Sequence, residues 1–295
     1  MILKFSLGLS VAAVLLGACS SGESAESAKT VIADKPSIVV TYSVLGDIVE
    51  QLVGDLATVI VVIPDGQDPH EFQPSAKDVE TLNNASIVVS NGLDFEEGLL
   101  DPLATAANSG IPEFRLGENV TTRLLEPAHG GADPHLWLSP AKFLEAIPAL
   151  TAAIEKATGL DLADQSVAIT SQLTEIDAQV ASILSGITCK LVSGHDEMGY
   201  FADRYGCTVI GAIIPSFSTT SEASAGELAK LKDQIAQHNV KAIFTGLGTP
   251  QEVSNQLANE TRVKAVSLST HYLNGAINYR EFILHLAQQI ADALQ

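Results

Sequence analysis

Short runs of β-branched and aliphatic residues recur along the chain, and most are followed by a stretch whose apolar positions fall three or four apart. SIVVTYS (37–43) predicts a strand, and VLGDIVEQLVG after it carries the repeat of an amphipathic helix. ATVIVVI (57–63) and SIVVSNG (86–92) predict two more strands, separated by the helical SAKDVETLNNA. EEGLLDPLATAANSG predicts a helix stopped by Gly110. The same grammar returns later. CKLVSG, CTVIGAIIP, KAIFTG and VKAVSLS read as strands with helices between them, and NYREFILHLAQQIADALQ closes the chain as an amphipathic helix. Strands alternating with helices signal parallel sheets, so the expected fold is α/β, with two βα lobes.

Between the halves, residues 139–187 are helical in pattern, with Gly159 as the clearest break and Pro148 as a candidate kink. The piece after Gly159 continues for about 25 residues without proline or glycine, about 37 Å at 1.5 Å per residue. That length suits a rigid strut between two lobes. The expected organisation is an N-terminal lobe over 37–138, connecting helices over 139–187 and a C-terminal lobe over 188–295.

The first residues fall outside this scheme. Lys4, the apolar FSLGLSVAAVLLGA and the small residues Gly17 and Ala18 before Cys19 predict a secretory signal over 1–18. LGAC resembles a bacterial lipobox, in which Cys19 becomes the lipid-bearing first residue of a polar tether over 19–36. An ordinary signal peptide beside a chance cysteine is the plainer alternative. Export also bears on Cys189 and Cys207. They open two successive strands of one βαβ unit, and in an oxidising compartment they are expected to form a disulfide rather than remain buried thiols.

Composition narrows the function. With 46% apolar residues the chain can bury a substantial core, and a net charge of −19 with only 16 Lys and Arg excludes a nucleic-acid surface. Histidine is scarce, seven in 295 residues, yet Asp-Pro-His occurs twice, ending at His70 and at His135. His70 follows a strand, His135 precedes an apolar LWL, and His195 and His271 again sit where a strand gives way to a helix. The four are 65, 60 and 76 residues apart, which excludes the HExxH pairing of many hydrolases. Four isolated imidazoles meeting in a cleft suit Zn²⁺. Because only the neutral ring binds metal, affinity is expected to fall steeply below about pH 6. Asp68, Glu71 and Asp133 beside the histidines are candidates either to orient the rings or to cap helices.

GQDPHEFQPSAKDVETLNNASIVVSNGLDFE, DPHLWLSP and GHDEMGYFADRYG together resemble three motifs of the metal-binding receptor lipoproteins of zinc and manganese ABC importers. The resemblance covers residues 37–295. It implies two lobes joined by a long rigid helix, a metal held in the cleft between them, and delivery to a membrane permease by a lipid-anchored, extracytoplasmic monomer. It implies His70, His135 and His195 as ligands, a histidine at the third position marking zinc-type members. The family's fourth ligand is an aspartate in a Leu-Tyr-Ser-Asp-Ser-Leu segment. Here LSTHYL puts His271 in that place, so either His271 replaces the carboxylate or water completes a three-histidine site. The histidine-rich loop of many zinc members is reduced to LLEPAHGGAD, with His129 alone and expected in solvent. His238 and His285 are expected as plain surface or packing residues. A secreted three-histidine zinc hydrolase is the competing reading. It needs a general base, and Glu197, the one candidate nearby in sequence, is expected across a tight turn from the metal.

Overall fold

Strand β1 (Ser37–Tyr42) is buried along all but its first residue, because helices cover both faces of the sheet it centres. The computed structural model describes residues 35–124 and 131–295, so the signal segment, Cys19 and His129 lie outside the described residues. The first sheet also contains β2 (Thr58–Ile63), β3 (Ile87–Ser90) and β4 (Glu113–Arg115), all parallel, in the order β2-β1-β3-β4. Val39 of β1 lies opposite both Ile60 and Val88. Edge strand β2 alternates between more and less exposed positions over its first half, as a strand with one open flank should. β4 is a strand the hydrophobic pattern did not announce. Its three residues, Glu-Phe-Arg, are recruited by pairing with β3.

The second sheet repeats the plan with β5 (Lys190–His195), β6 (Thr208–Ile214), β7 (Ala242–Thr245) and β8 (Lys264–Ser267), again parallel, in the order β6-β5-β7-β8. Helices α1 (Ser43–Val53), α2 (Ala76–Asn83) and α3 (Leu100–Asn108) belong to the first half. Helices α6 (Gly199–Tyr205), α7 (Ala225–Gln237), α8 (Gln251–Thr261) and α9 (Tyr279–Leu294) belong to the second. Ser75 and Ser224 start α2 and α7 with capping boxes, each serine exchanging hydrogen bonds with the acidic residue three positions on.

Between the sheets lie α4 (Pro140–Thr158) and α5 (Ala163–Leu184). Gly159 ends α4 in the left-handed conformation, φ 75°, whereas Pro148 sits inside α4 without interrupting it. The 22 residues of α5 span about 33 Å. Its stripe of Ile169, Leu173, Ile176, Val180 and Leu184 is buried, and the helix packs on α4, α1 and α9. It is therefore more than a strut. One apolar cluster continues from the first sheet through Leu136, Trp137 and Leu138 to α5 and α9, so the two lobes share a core. Tyr279 ties them further, its backbone N–H donating to Asp47 and its hydroxyl to the Trp137 carbonyl, both at 2.8 Å. A second, smaller cluster lies between the second sheet and helices α7 and α8.

Cys189 and Cys207 form a disulfide, with Cα atoms 4.6 Å apart. They stand at the starts of the paired strands β5 and β6, where the Thr208 N–H donates to the Cys189 carbonyl. No helix among the described residues is long and apolar enough to cross a membrane.

Candidate metal centre

The repeated Asp-Pro-His makes the same turn twice. Asp68 Oδ1 accepts the backbone N–H of His70 at 3.0 Å, and Asp133 Oδ1 accepts that of His135 at 3.0 Å. Between them, proline holds one φ and lacks an N–H to compete, so each histidine projects from a stiff loop. The copies differ in their remaining contacts. Asp133 Oδ1 also lies 2.9 Å from His135 Nδ1, while Asp68 gives its second oxygen to the Thr219 hydroxyl of the other lobe at 2.8 Å. His70 stands beyond the carboxyl end of β2, His195 is the last residue of β5, and His271 lies beyond the end of β8. These are the ends at which open parallel sheets present ligand loops. His135 departs from that placement. It precedes a single 3-10 turn, Leu136–Leu138, rather than following a strand.

All four predicted histidines converge. One nitrogen from each lies within 4.8 Å of the others, and every one of the four rings is buried. His135 Nε2 and His195 Nε2 are 3.0 Å apart. A zinc tetrahedron with Zn–N near 2.0–2.1 Å has N···N edges of roughly 3.3 Å, within the observed spread. His70 Nε2 and His271 Nε2 have no hydrogen-bond partner among the described residues. Buried nitrogens without partners are costly unless something else binds them. The donor set therefore fits a borderline divalent cation. Phe95, Trp137 and Tyr42 pack together beside the rings, Phe95 lying edge-on to His70 at 4.9 Å and against Trp137 at 4.5 Å. A cleft of about 770 Å³, bordered by Asp94, Glu97, Phe217 and Ser218, leads from solvent to His70.

Behind the rings stand carboxylates. His135 Nδ1 faces Asp133 at 2.9 Å, and His70 Nδ1 faces Glu97 at 3.6 Å. His195 Nδ1 and His271 Nδ1 face the two oxygens of Glu197, each at 3.8 Å. Of the three acidic residues singled out from the sequence, Asp133 orients a ring, Asp68 shapes a turn, and Glu71 is exposed. Glu197 is nearer than its place after a turn suggested, but it lies on the Nδ1 side of its rings, where it is poorly placed to activate a metal-bound water. Glu97 was missed. It is 27 residues along the chain from His70, and no local spacing links them. Asn91, also missed, donates its side-chain N–H to the Pro134 carbonyl at 2.8 Å and so holds the second Asp-Pro-His loop. Arg123 braces Asp133 from outside at 3.4 Å, and the Tyr200 hydroxyl donates to the Asp133 carbonyl at 2.9 Å.

Burial governs the protonation states. It pushes His70 and His271 down to about 3, the neighbouring His271 adding to the shift at His70 and Asp68 opposing it. His135 and His195 also lie well below the ordinary imidazole value, through burial and then the neighbouring rings. The rings are therefore neutral at pH 7, with lone pairs free. Burial pushes Asp133 up to about 7, against the His135 N–H, and Glu197 up to about 8. His238 and His285 are exposed and take no part.

Residues 38–293 match the family model described as zinc-uptake complex component A, periplasmic. The zinc-binding protein TroA of Treponema pallidum is 30% identical over 246 residues, 80% of this chain and 79% of that one. Its solved structure, a periplasmic zinc-binding protein, superposes with a TM-score of 0.80 at 25% identity, covering 88% of this chain and 99% of that one. The zinc-binding lipoprotein AdcA of Streptococcus pneumoniae is 29% identical over 88% of this chain, which spans only 54% of AdcA. The manganese-binding lipoprotein MntA of Halalkalibacterium halodurans is 23% identical, over 88% of this chain and 86% of that one.

Proposed function

Because the chain belongs to the family of periplasmic zinc-uptake component A proteins, whose members are substrate-binding receptors of ABC importers and not enzymes, we propose that its own cargo is Zn²⁺, delivered to a membrane permease. The observation that carries this reading is the set of four buried, neutral imidazoles within 4.8 Å of one another, with no carboxylate oxygen among the converging atoms. Imidazole suits zinc, whereas Mn²⁺ is a harder ion that favours carboxylate and water oxygen. We propose His70, His135, His195 and His271 as the ligands, so the fourth position is filled by a side chain and not by water. A closed four-ligand site leaves no open position for a hydrolytic water, which argues against the hydrolase reading together with the family assignment. We also propose that Cys19 carries the lipid and that the receptor acts as a monomer.

The test is metal analysis of protein purified without added metal, followed by competition titration. One zinc per chain is expected, with Mn²⁺ unable to displace it at equal concentration. Displacement by Mn²⁺ under those conditions overturns the zinc assignment. Cu²⁺ binding in vitro does not, since Cu²⁺ exceeds Zn²⁺ in intrinsic affinity for such donors.

A further inference from the structure

Glu197 is a buried carboxyl placed between two histidines, and no hydrogen-bond partner for its Oε2 lies among the described residues. Oε1 is 3.8 Å from His195 Nδ1, and Oε2 is 3.8 Å from His271 Nδ1. The two rings are nearly parallel, 20° apart in plane with centroids at 5.1 Å, so one carboxylate spans both Nδ1 edges. Building on the zinc reading of this site, we infer that Glu197 is a positioning residue shared by two ligands. It takes the Nδ1–H of His195 on one oxygen and that of His271 on the other, and so turns both Nε2 lone pairs toward the metal.

Three observations lead there. His195 Nε2 already points into the site, 3.0 Å from His135 Nε2, which leaves Nδ1 as the outward nitrogen. That outward Nδ1 has no partner among the described residues, and neither does Glu197 Oε2. At 3.8 Å the contacts are about 1 Å longer than charge-assisted hydrogen bonds. Shortening them would satisfy two buried groups whose isolation is otherwise destabilising. His271 supplies the third observation. Its Nδ1 lies 3.0 Å from the Thr270 hydroxyl, which can either donate to it or accept from it. If the hydroxyl donates, the ring proton moves to Nε2 and the ligand is lost. A carboxyl oxygen set against the outer edge of the ring, 3.8 Å from Nδ1, favours the tautomer that carries its proton on Nδ1 and leaves Nε2 free. His135 has Asp133 for this task and His70 has Glu97, whereas Glu197 alone serves two rings.

The test uses the mature chain and its Glu197→Gln and Glu197→Ala variants. Zinc affinity is measured against a chromophoric chelator, ligand geometry by the visible spectrum of the Co²⁺-loaded protein, and ring tautomers by ¹⁵N NMR of the zinc-loaded parent. Removing an orienting carboxylate from a zinc-bound histidine costs roughly 10–100-fold in affinity. Glu197→Ala should lose at least that and alter the Co²⁺ bands. Glu197→Gln keeps the shape, but its amide offers one accepting oxygen and a donating NH₂, so it should also weaken binding and change the spectrum. The parent should show Nδ1–H protons on both His195 and His271. Parent-like affinity and an unchanged Co²⁺ spectrum in Glu197→Gln overturn the inference, as does a zinc-loaded parent with the proton on Nε2 of either ring. Failure of the zinc reading itself looks different, since the parent would then not retain zinc against Mn²⁺.

Discussion

The Thr219 hydroxyl donates to Asp68 Oδ2 at 2.8 Å across the cleft, joining residues 151 positions apart in the chain. The other oxygen of Asp68 holds the backbone of His70 at 3.0 Å, so a C-terminal loop grips the turn that carries the first ligand. The neighbouring Ser218 hydroxyl donates to Glu97, which faces His70 Nδ1. Gly248 makes the grip possible. Its φ is +78°, and a Cβ there would lie 2.5 Å from Asp68 Oδ2 and 2.4 Å from Thr219 Cγ2.

Removing that grip should speed metal release more than it slows capture. A hydrogen bond to a charged group contributes about 1.5–3 kcal/mol, which corresponds to roughly 10–100-fold in a rate. Thr219→Val is therefore expected to raise the dissociation rate of Zn²⁺ into excess chelator by about that factor, with Thr219→Ser close to the parent. Stopped-flow measurement of release and association separates the two. An unchanged release rate in Thr219→Val would show that the bond carries no load.

The proposed ligands should differ sharply from the other histidines. His70→Ala, His135→Ala, His195→Ala and His271→Ala should each weaken zinc by more than the ~10–100-fold typical of losing only an orienting partner. His129→Ala, His238→Ala and His285→Ala should bind like the parent in equilibrium titration. His271→Ala decides between four ligands and three: parent-like affinity there would mean that water occupies the fourth position.

Proton release should follow the carboxyls, and not the rings. His70 and His271 titrate only near about 3, so above that range they hold no proton for the metal to displace. Glu197 and Asp133, at about 8 and about 7, are protonated in mildly acidic solution while the rings are neutral. A cation at the rings favours the ionised carboxylates, so binding releases these protons below their raised values. Apparent affinity should thus begin to fall below about pH 8, earlier than the imidazole-based expectation of about pH 6. Calorimetry at pH 6 in buffers of different ionisation enthalpy should find about two protons released per zinc, and close to none at pH 9. Release that starts only below pH 6 would return the titration to the imidazoles.

The disulfide should matter for stability and not for stoichiometry. Cys189 and Cys207 are 18 positions apart, and the loop-entropy relation gives such a bridge about 3 kcal/mol. At 2–4 °C per kcal/mol, reduction should lower the unfolding temperature by roughly 6–12 °C while zinc per chain stays at one. Thiol titration of denatured, unreduced protein should find neither of these sulfhydryls free.

Much of this was legible in the residues. Seven of the eight strands are apolar runs of the expected length, and Gly159 ends its helix as its position in the pattern suggests. β4 was hidden because three residues supply no periodicity, and only the free edge of β3 makes them a strand. Scarcity and repetition made the four histidines conspicuous. The groups behind them left a fainter trace. Glu97 and Thr219 act across the fold, and sequence separation carries no information about such contacts. Glu197 is visible in the sequence as a residue set away from the metal side by a turn, but the contact that the same turn gives it with the far edges of two imidazoles depends on the fold.

The unpartnered nitrogens of the site have a further consequence at the level of the transport cycle. His70, His195 and His271 all present buried ring atoms that nothing in the described protein satisfies. If the rim shuts with only the four rings inside, each stranded atom costs about 1–3 kcal/mol, and a cation removes that cost where it binds. One core runs through both lobes, and at the rim the Thr219 hydroxyl holds Asp68 across the cleft. A rim whose closure depends on the cation would encode occupancy in its position. A membrane partner sensitive only to the outline of the receptor could tell a loaded copy from an empty one without contacting the ion, and empty copies would compete poorly for it even when they are in excess.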